Sequence, residues 1–189
     1  LLQNPDSFLT ATRATPYRVF TPFYRKLRQQ ISLSKSSDRM PSQATALQAD
    51  TTALKHSRSL EQLGLLGANN WQQKLQQYWN PGEAGARLNL ETFVEEILTN
   101  YIEQRDFPAI KGSSSLSPHL HFGEISPQQI CYALAPIIEF EGGKKATAAE
   151  AFLRQLIWRE FARYTLWHLP ETTTQSMNNK YSADFWKDN

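Results

Sequence analysis

Thr147–Pro170, TAAEAFLRQLIWREFARYTLWHLP, is the stretch on which the reading of the whole chain turns. Thr147 with Glu150 three residues on has the form of a capping box, and Pro170 closes the segment, so one long helix is expected between them. Leu153, Ile157, Phe161 and Tyr164 recur at helical spacing and mark a buried stripe. Phe152, Gln155, Trp158, Arg159 and Ala162 follow at steps of three, three, one and three, which puts a ring, an amide, an indole and a guanidinium on a second face. One apolar stripe is enough to dock a helix, so this second face reads as a binding surface. The plain alternative makes Trp158 core and pairs Arg159 with a carboxylate such as Glu160.

Around that helix the composition is that of a globular protein. The 189 residues are 40% hydrophobic and 12% aromatic, enough for a substantial core. Twenty basic against eighteen acidic residues leave a net charge of +2, which does not argue for nucleic acid but leaves room for a local basic patch. Cys131 is the one cysteine, so neither an intramolecular disulfide nor a Cys-rich metal site is available, and a reducing compartment fits. His56, His119, His121 and His168 have no metal-binding spacing, and no metal is expected. Without a long apolar run or the layout of a signal peptide, the chain is expected to be soluble and cytoplasmic, with no membrane partner. It lacks a starting Met and stops just after Phe185 and Trp186, as expected of a piece of a longer protein.

From the N-terminus, Phe8 to Phe20 suggests a short strand or extended entry, and Thr21-Pro22 a helix start running to about Gln30. Residues 31–58 are polar with scattered apolar side chains, the composition of a linker. Residues 59–189 read as helical throughout. Helix starts are expected at Ser59 and Asn70, with Asn80-Pro81-Gly82 as a stop. A longer helical span, Glu83 to Arg105, stacks Phe93, Ile97 and Tyr101. Ser117-Pro118 should cap a short helix, Leu116–Phe122, closed by Gly123, and Ser126 with Gln129 a capping box for a helix to about Ile138. The fold class is all-α with an extended entry segment.

Gly112 and the run Ser113, Ser114, Ser115, Leu116, Ser117 stand immediately before a helix N-terminus, where hydroxyls and free N–H groups suit a phosphate. Tyr101 could reach the same loop, and Arg105 and Lys111 add positive charge. The plain alternatives are a capping loop and a core tyrosine.

Together these segments resemble one family. Tyr101–Ile130 (YIEQRDFPAIKGSSSLSPHLHFGEISPQQI), Phe152–Phe161 (FLRQLIWREF), Val19–Phe23 (VFTPF) and Trp79–Glu83 (WNPGE) match, in order and spacing, the helical FAD-binding domain of the DNA photolyase and cryptochrome family, in its bacterial class I-like form. The resemblance implies that residues 1–30 are the end of an antenna domain and an entry helix, 31–58 an interdomain linker, and 59–189 the N-terminal half of the helical domain. It implies FAD as cofactor, with Tyr101, Ser113, Ser114, Ser115, Leu116 and Ser117 at its phosphates and Phe152 and Gln155 lining the flavin and substrate cavity. Trp158 would stack on the damaged pyrimidine pair, Arg105 and Arg159 would hold DNA phosphates, and Trp186 would end a tryptophan electron-transfer chain. Trp158, Gln155 and Trp186 are thus the candidate catalytic residues.

The implied activity is light-driven repair of cyclobutane pyrimidine dimers in ultraviolet-damaged DNA by electron transfer from reduced FAD, in a monomer. An antenna chromophore of folate or deazaflavin type would sit in the preceding domain, and the piece alone would be inactive. The family loop commonly begins with Thr and has Arg in place of Ser115, and dimer photolyases usually carry Glu in place of Gln155. An amide donates to a base carbonyl but lacks the carboxylate's charge. That leaves three rivals: a cryptochrome-type photoreceptor, repair of another photoproduct, and a flavin-free helical interaction module.

Overall fold

The computed structural model describes residues 2, 4–12, 14–31, 57–59, 61–65, 71–178 and 180–181, and among them there is no strand. The expected linker lies almost wholly outside the described residues, as does Trp186. The helices are α1 (Phe20–Gln30), α2 (Trp71–Gln76), α3 (Glu83–Thr92), α4 (Tyr101–Gln104), α5 (Ser117–Phe122), α6 (Pro127–Pro136) and α7 (Gly143–His168). Among these described residues no helix is long and apolar enough to cross a membrane.

The organising helix, α7, starts earlier than the sequence suggests. Its N-cap is Gly142, in a conformation (φ 68°) that favours glycine, and no side chain caps it. Thr147 is therefore already inside the helix, where its hydroxyl donates back to the Gly143 carbonyl at 3.0 Å. The expected Thr147–Glu150 capping box is not made. Glu150 instead faces α1, accepting from Arg28 through both oxygens (2.7 and 3.0 Å) and from the Tyr24 hydroxyl (3.0 Å). Burial pushes the Glu150 carboxyl up, but these bonds outweigh it and hold the group below the usual carboxylate range. At the other end the helix stops at Leu169, just before Pro170, as expected.

The buried stripe of α7 is Leu153, Ile157 and Tyr164, with Phe161 half-buried beside it. Opposite them, Phe8, Tyr17 and Phe23 close an aromatic cluster whose ring centroids lie 5.0–6.4 Å apart. The Tyr164 hydroxyl donates to the Phe8 carbonyl (2.7 Å) and accepts from the Tyr17 N–H (3.0 Å), so the extended entry segment is held without a β-ladder. Val19 is extended and is the N-cap of α1, which begins at Phe20, ahead of the expected Thr21-Pro22 start. Pro22 then falls in the first turn, where its missing N–H costs nothing.

The span from Glu83 to Gln104 is helical but not one helix. A π turn at Phe93–Ile97 and a 3-10 turn at Leu98–Asn100 separate α3 from α4. Widening and then tightening the backbone brings Phe93, Leu98 and Tyr101 all into the core, while Ile97 stays partly exposed. Ser126 makes the expected capping box with Gln129, and Gly123 (φ 74°) closes α5. Cys131 is buried in the core, where burial pushes its thiol up to about 12.

Candidate functional site

The serine run forms one wall of a cavity of about 470 Å³, faced by Trp79, Asn89 and Lys111. Ser113, Ser114 and Ser115 line it, whereas Leu116 is fully buried and anchors the loop from below. Ser114 accepts from the Leu116 N–H at 3.4 Å, and Ser115 sits in the left-handed region (φ 53°), which turns the chain sharply into α5. Leu116, not Ser117, is the N-cap of α5, and Ser117 is its first residue. With six residues, α5 contributes only a short dipole, and the positive charge in the cavity lining is that of Lys111. The loop also depends on Gly112, because a Cβ there would lie 2.6 Å from the Gln104 backbone. Gly112→Ala is expected to cost about 1–3 kcal/mol through the shift it forces. Chemical denaturation of the variant checks this.

A buried relay that the sequence reading missed backs this cavity. His119 is fully buried under Trp79, whose ring stacks on it at 4.3 Å. The Glu124 carboxylate meets its Nδ1, and the bond from His119, with a smaller contribution from the Gly82 backbone, holds the Glu124 carboxyl below its usual range. An ionised carboxylate only accepts, so Nδ1 carries the proton and Nε2 accepts from the Asn89 amide at 3.0 Å. The ring thereby fixes the orientation of Asn89 at the cavity wall. The spacing of His119 and Glu124 across the Gly123 turn was the available signal.

A separate open groove of about 730 Å³ along α7 collects Gln155, Trp158 and Arg105, together with Tyr24, Glu150 and Arg154. Trp158 is 43% exposed and lies flat on Phe20, with centroids 3.5 Å apart and 7° between planes. One indole face is therefore backed and the other remains available for stacking. Arg154, one turn before Trp158, sits over the Phe20 and Tyr24 rings at 5.6 and 5.4 Å. The i, i+4 spacing of Arg154 and Trp158 could have identified it. Glu150 is the carboxylate of this lining and is paired with Arg28, and Arg105 meets the exposed Asp106 at 3.6 Å, which leaves Arg154 as the groove cation that has no carboxylate partner among the ion pairs of the described residues.

Phe152 and Arg159 depart from the expected second face of α7, and Tyr101 from the expected loop contact. Phe152 is 7% exposed and packs edge-on against Tyr101 (5.3 Å) and tilted against Phe93 (4.4 Å). Tyr101 is likewise buried in this aromatic layer, with the Arg105 guanidinium 5.6 Å above its ring, and does not line the serine-loop cavity. Arg159 donates to the Leu120 carbonyl at 3.3 Å and lies outside the groove lining. It does not pair with Glu160.

No protein-family model matches the chain. It is 33% identical over all 189 residues to the deoxyribodipyrimidine photo-lyase of Agrobacterium fabrum, covering 38% of that protein. The fold superposes on a bacterial class III photolyase from Agrobacterium tumefaciens with a TM-score of 0.78 at 32% identity, over 100% of this chain and 37% of that one. It is also 34% identical over 128 residues to cryptochrome-2 of Arabidopsis thaliana, covering 63% of this chain and 20% of that protein. The chain thus spans little more than a third of the length of the photolyases it matches end to end.

Proposed function

This chain belongs to the DNA photolyase and cryptochrome family, and we propose that in the intact protein it supplies one side of a reduced-FAD pocket and one side of a damaged-DNA groove for light-driven splitting of cyclobutane pyrimidine dimers. In this reading residues 1–30 are the end of an antenna domain and an entry helix, 31–58 a linker, and 59–189 the first half of the helical domain.

The observation that carries the proposal is the groove, where a half-exposed indole with a backed ring, an amide and two guanidiniums face the same space. A flipped pyrimidine pair needs a stacking platform, a hydrogen-bond donor for its carbonyls and cations for the flanking phosphates. Trp158, Gln155, and Arg105 with Arg154 have those properties. The serine-loop cavity fits the phosphate end of FAD, because Lys111 and three serine hydroxyls face it and Asn89 is held in place behind them. FAD bound there supplies the light-driven electron. Tyr101 and Phe152 act from beneath the site, as a rigid aromatic layer that fixes the base of α7.

A photoreceptor is the second reading. Gln155 favours it, since an amide stands where the dimer-repairing relatives are expected to carry a carboxylate. The test is the dimer-splitting yield per absorbed photon, with reduced flavin and saturating damaged oligonucleotide, for the parent protein and for Gln155→Glu. Dimer repair predicts that the variant retains or raises the yield, since the carboxylate can hydrogen-bond the dimer and stabilise charge during transfer. No splitting by either protein would eliminate dimer repair and promote the photoreceptor reading.

A further inference from the structure

The relay behind the serine loop fixes more than the place of Asn89, because it also fixes which atom of the amide can bond outward. Glu124 starts it. Its carboxylate accepts from the Gly82 N–H and meets Nδ1 of His119. An ionised carboxylate offers only lone pairs, so Nδ1 carries the proton, and a neutral imidazole protonated there has a bare lone pair on Nε2. Asn89 meets that lone pair with an N–H, its Nδ2 lying 3.0 Å from Nε2. The inverted amide would set two acceptors against each other beside a fully buried ring, an arrangement that leaves both unsatisfied.

The carbonyl oxygen of Asn89 is left over. Among the described residues Oδ1 has no hydrogen-bond partner, and it is not one of their buried unpaired atoms. Asn89 itself lines the serine-loop cavity, so this accessible acceptor belongs to the same wall as Ser113, Ser114 and Lys111. The cavity thus carries two kinds of group. Serine hydroxyls and an ammonium donate to phosphate oxygens, whereas a carbonyl oxygen repels them and needs a donor from the ligand. Side by side, the two kinds match a phosphate borne on a hydroxyl-bearing chain or ring better than a bare phosphate.

We propose that His119 and Glu124 are positioning residues that hold Asn89 with Oδ1 toward the serine-loop cavity, where it accepts from a sugar hydroxyl adjoining the bound phosphate. This rests on the reading of that cavity as the phosphate end of FAD, and adds to it the recognition of one of the two sugars that flank the diphosphate, the ribityl chain or the ribose. Neither His119 nor Glu124 lines the cavity, so both act through Asn89.

The test is reconstitution of the flavin-free intact protein with FAD, with FAD deoxygenated in the ribityl chain and with FAD deoxygenated in the ribose, each Kd read from flavin fluorescence. The parent should bind one deoxy form about threefold to tenfold more weakly than FAD, the worth of one uncharged hydrogen bond, and the form that suffers identifies the sugar. Asn89→Leu should bind FAD and that form equally. Glu124→Gln leaves every cavity-lining side chain in place but offers Nδ1 either a donor or an acceptor, so it should shrink the ratio between the two ligands. A merely structural relay would weaken both ligands alike and leave the ratio unmoved. Nitrogen NMR of the histidine-labelled intact protein reads the tautomer without a ligand, and His119 should carry its proton on Nδ1 in the parent and gain an Nε2–H population in Glu124→Gln. Equal affinity of the parent for all three flavins, a ratio unchanged in either variant, or an Nε2–H His119 in the parent would overturn the proposal. A parent protein that takes up no FAD at all would overturn the flavin reading, and the proposal with it.

Discussion

Phe23→Ala is expected to remove about 3–5 kcal/mol of stability, the range for deleting a fully buried aromatic side chain. Phe23 is 1% exposed, and its ring meets Phe8 at 5.1 Å, Phe161 and Tyr164 at 5.0 Å and Tyr17 at 6.0 Å. These neighbours come from the entry segment and from α7, so the ring joins parts of the chain far apart in sequence. The space left by the deletion cannot collapse readily, because Tyr164 and the Phe8 carbonyl hold their positions through a hydrogen bond. The loss should appear as a lower denaturation midpoint with an unchanged slope. Phe140→Ala, at an 82% exposed position, should change stability by less than about 0.5 kcal/mol. A Phe23 variant as stable as the Phe140 variant would mean that the entry segment is not part of the core.

Trp158→Ala is expected to weaken binding of the intact protein to ultraviolet-damaged DNA by ~1–3 kcal/mol, the usual worth of one base–aromatic stack. Bound flavin should be largely unaffected, since Trp158 lines the groove and not the serine-loop cavity. The substitution also removes the stack on Phe20 and the edge contact with Phe161, so a stability loss of about 0.5–1.5 kcal/mol should accompany it. Phe20→Leu separates the two effects. It deletes the backing ring while keeping the indole, and so should lower stability with a smaller loss of affinity. Measured against undamaged DNA of the same sequence, the Trp158 effect should vanish, because an intact stacked duplex offers no extruded base. Equal affinity of the Trp158 variant and the parent for damaged DNA would remove Trp158 from the proposed site.

The spacing of Gln155 and Trp158 was enough to put both on a shared surface, and the groove contains both. Phe152, three residues earlier on the same notional face, is core. Periodicity fixes the angle of a side chain around α7, but whether that angle meets solvent depends on which neighbour covers that part of its length. The turn that brings Phe93 and Tyr101 over Phe152 is a π turn, whose register no i, i+4 pattern encodes. Tyr101 moved from the expected loop contact to the aromatic layer for the same reason.

What the sequence determined by itself was local: the all-helical class, the Ser126 capping box, the Gly123 stop and the end of α7 before Pro170. Each depends on a side chain or a dihedral within a few residues of its partner, and so can be read from order alone. Tertiary structure decided the partners of the charged groups. Thr147 and Glu150 have capping-box spacing, yet Glu150 pairs with Arg28, 122 positions away, because docking α1 on α7 offers a bidentate cation that a helix end does not. Arg159 and Glu160 are adjacent in sequence and could have been taken as a pair, yet one turns to the Leu120 carbonyl and the other is buried. Adjacent positions on a helix point about 100° apart, so packing delivered them to different surroundings.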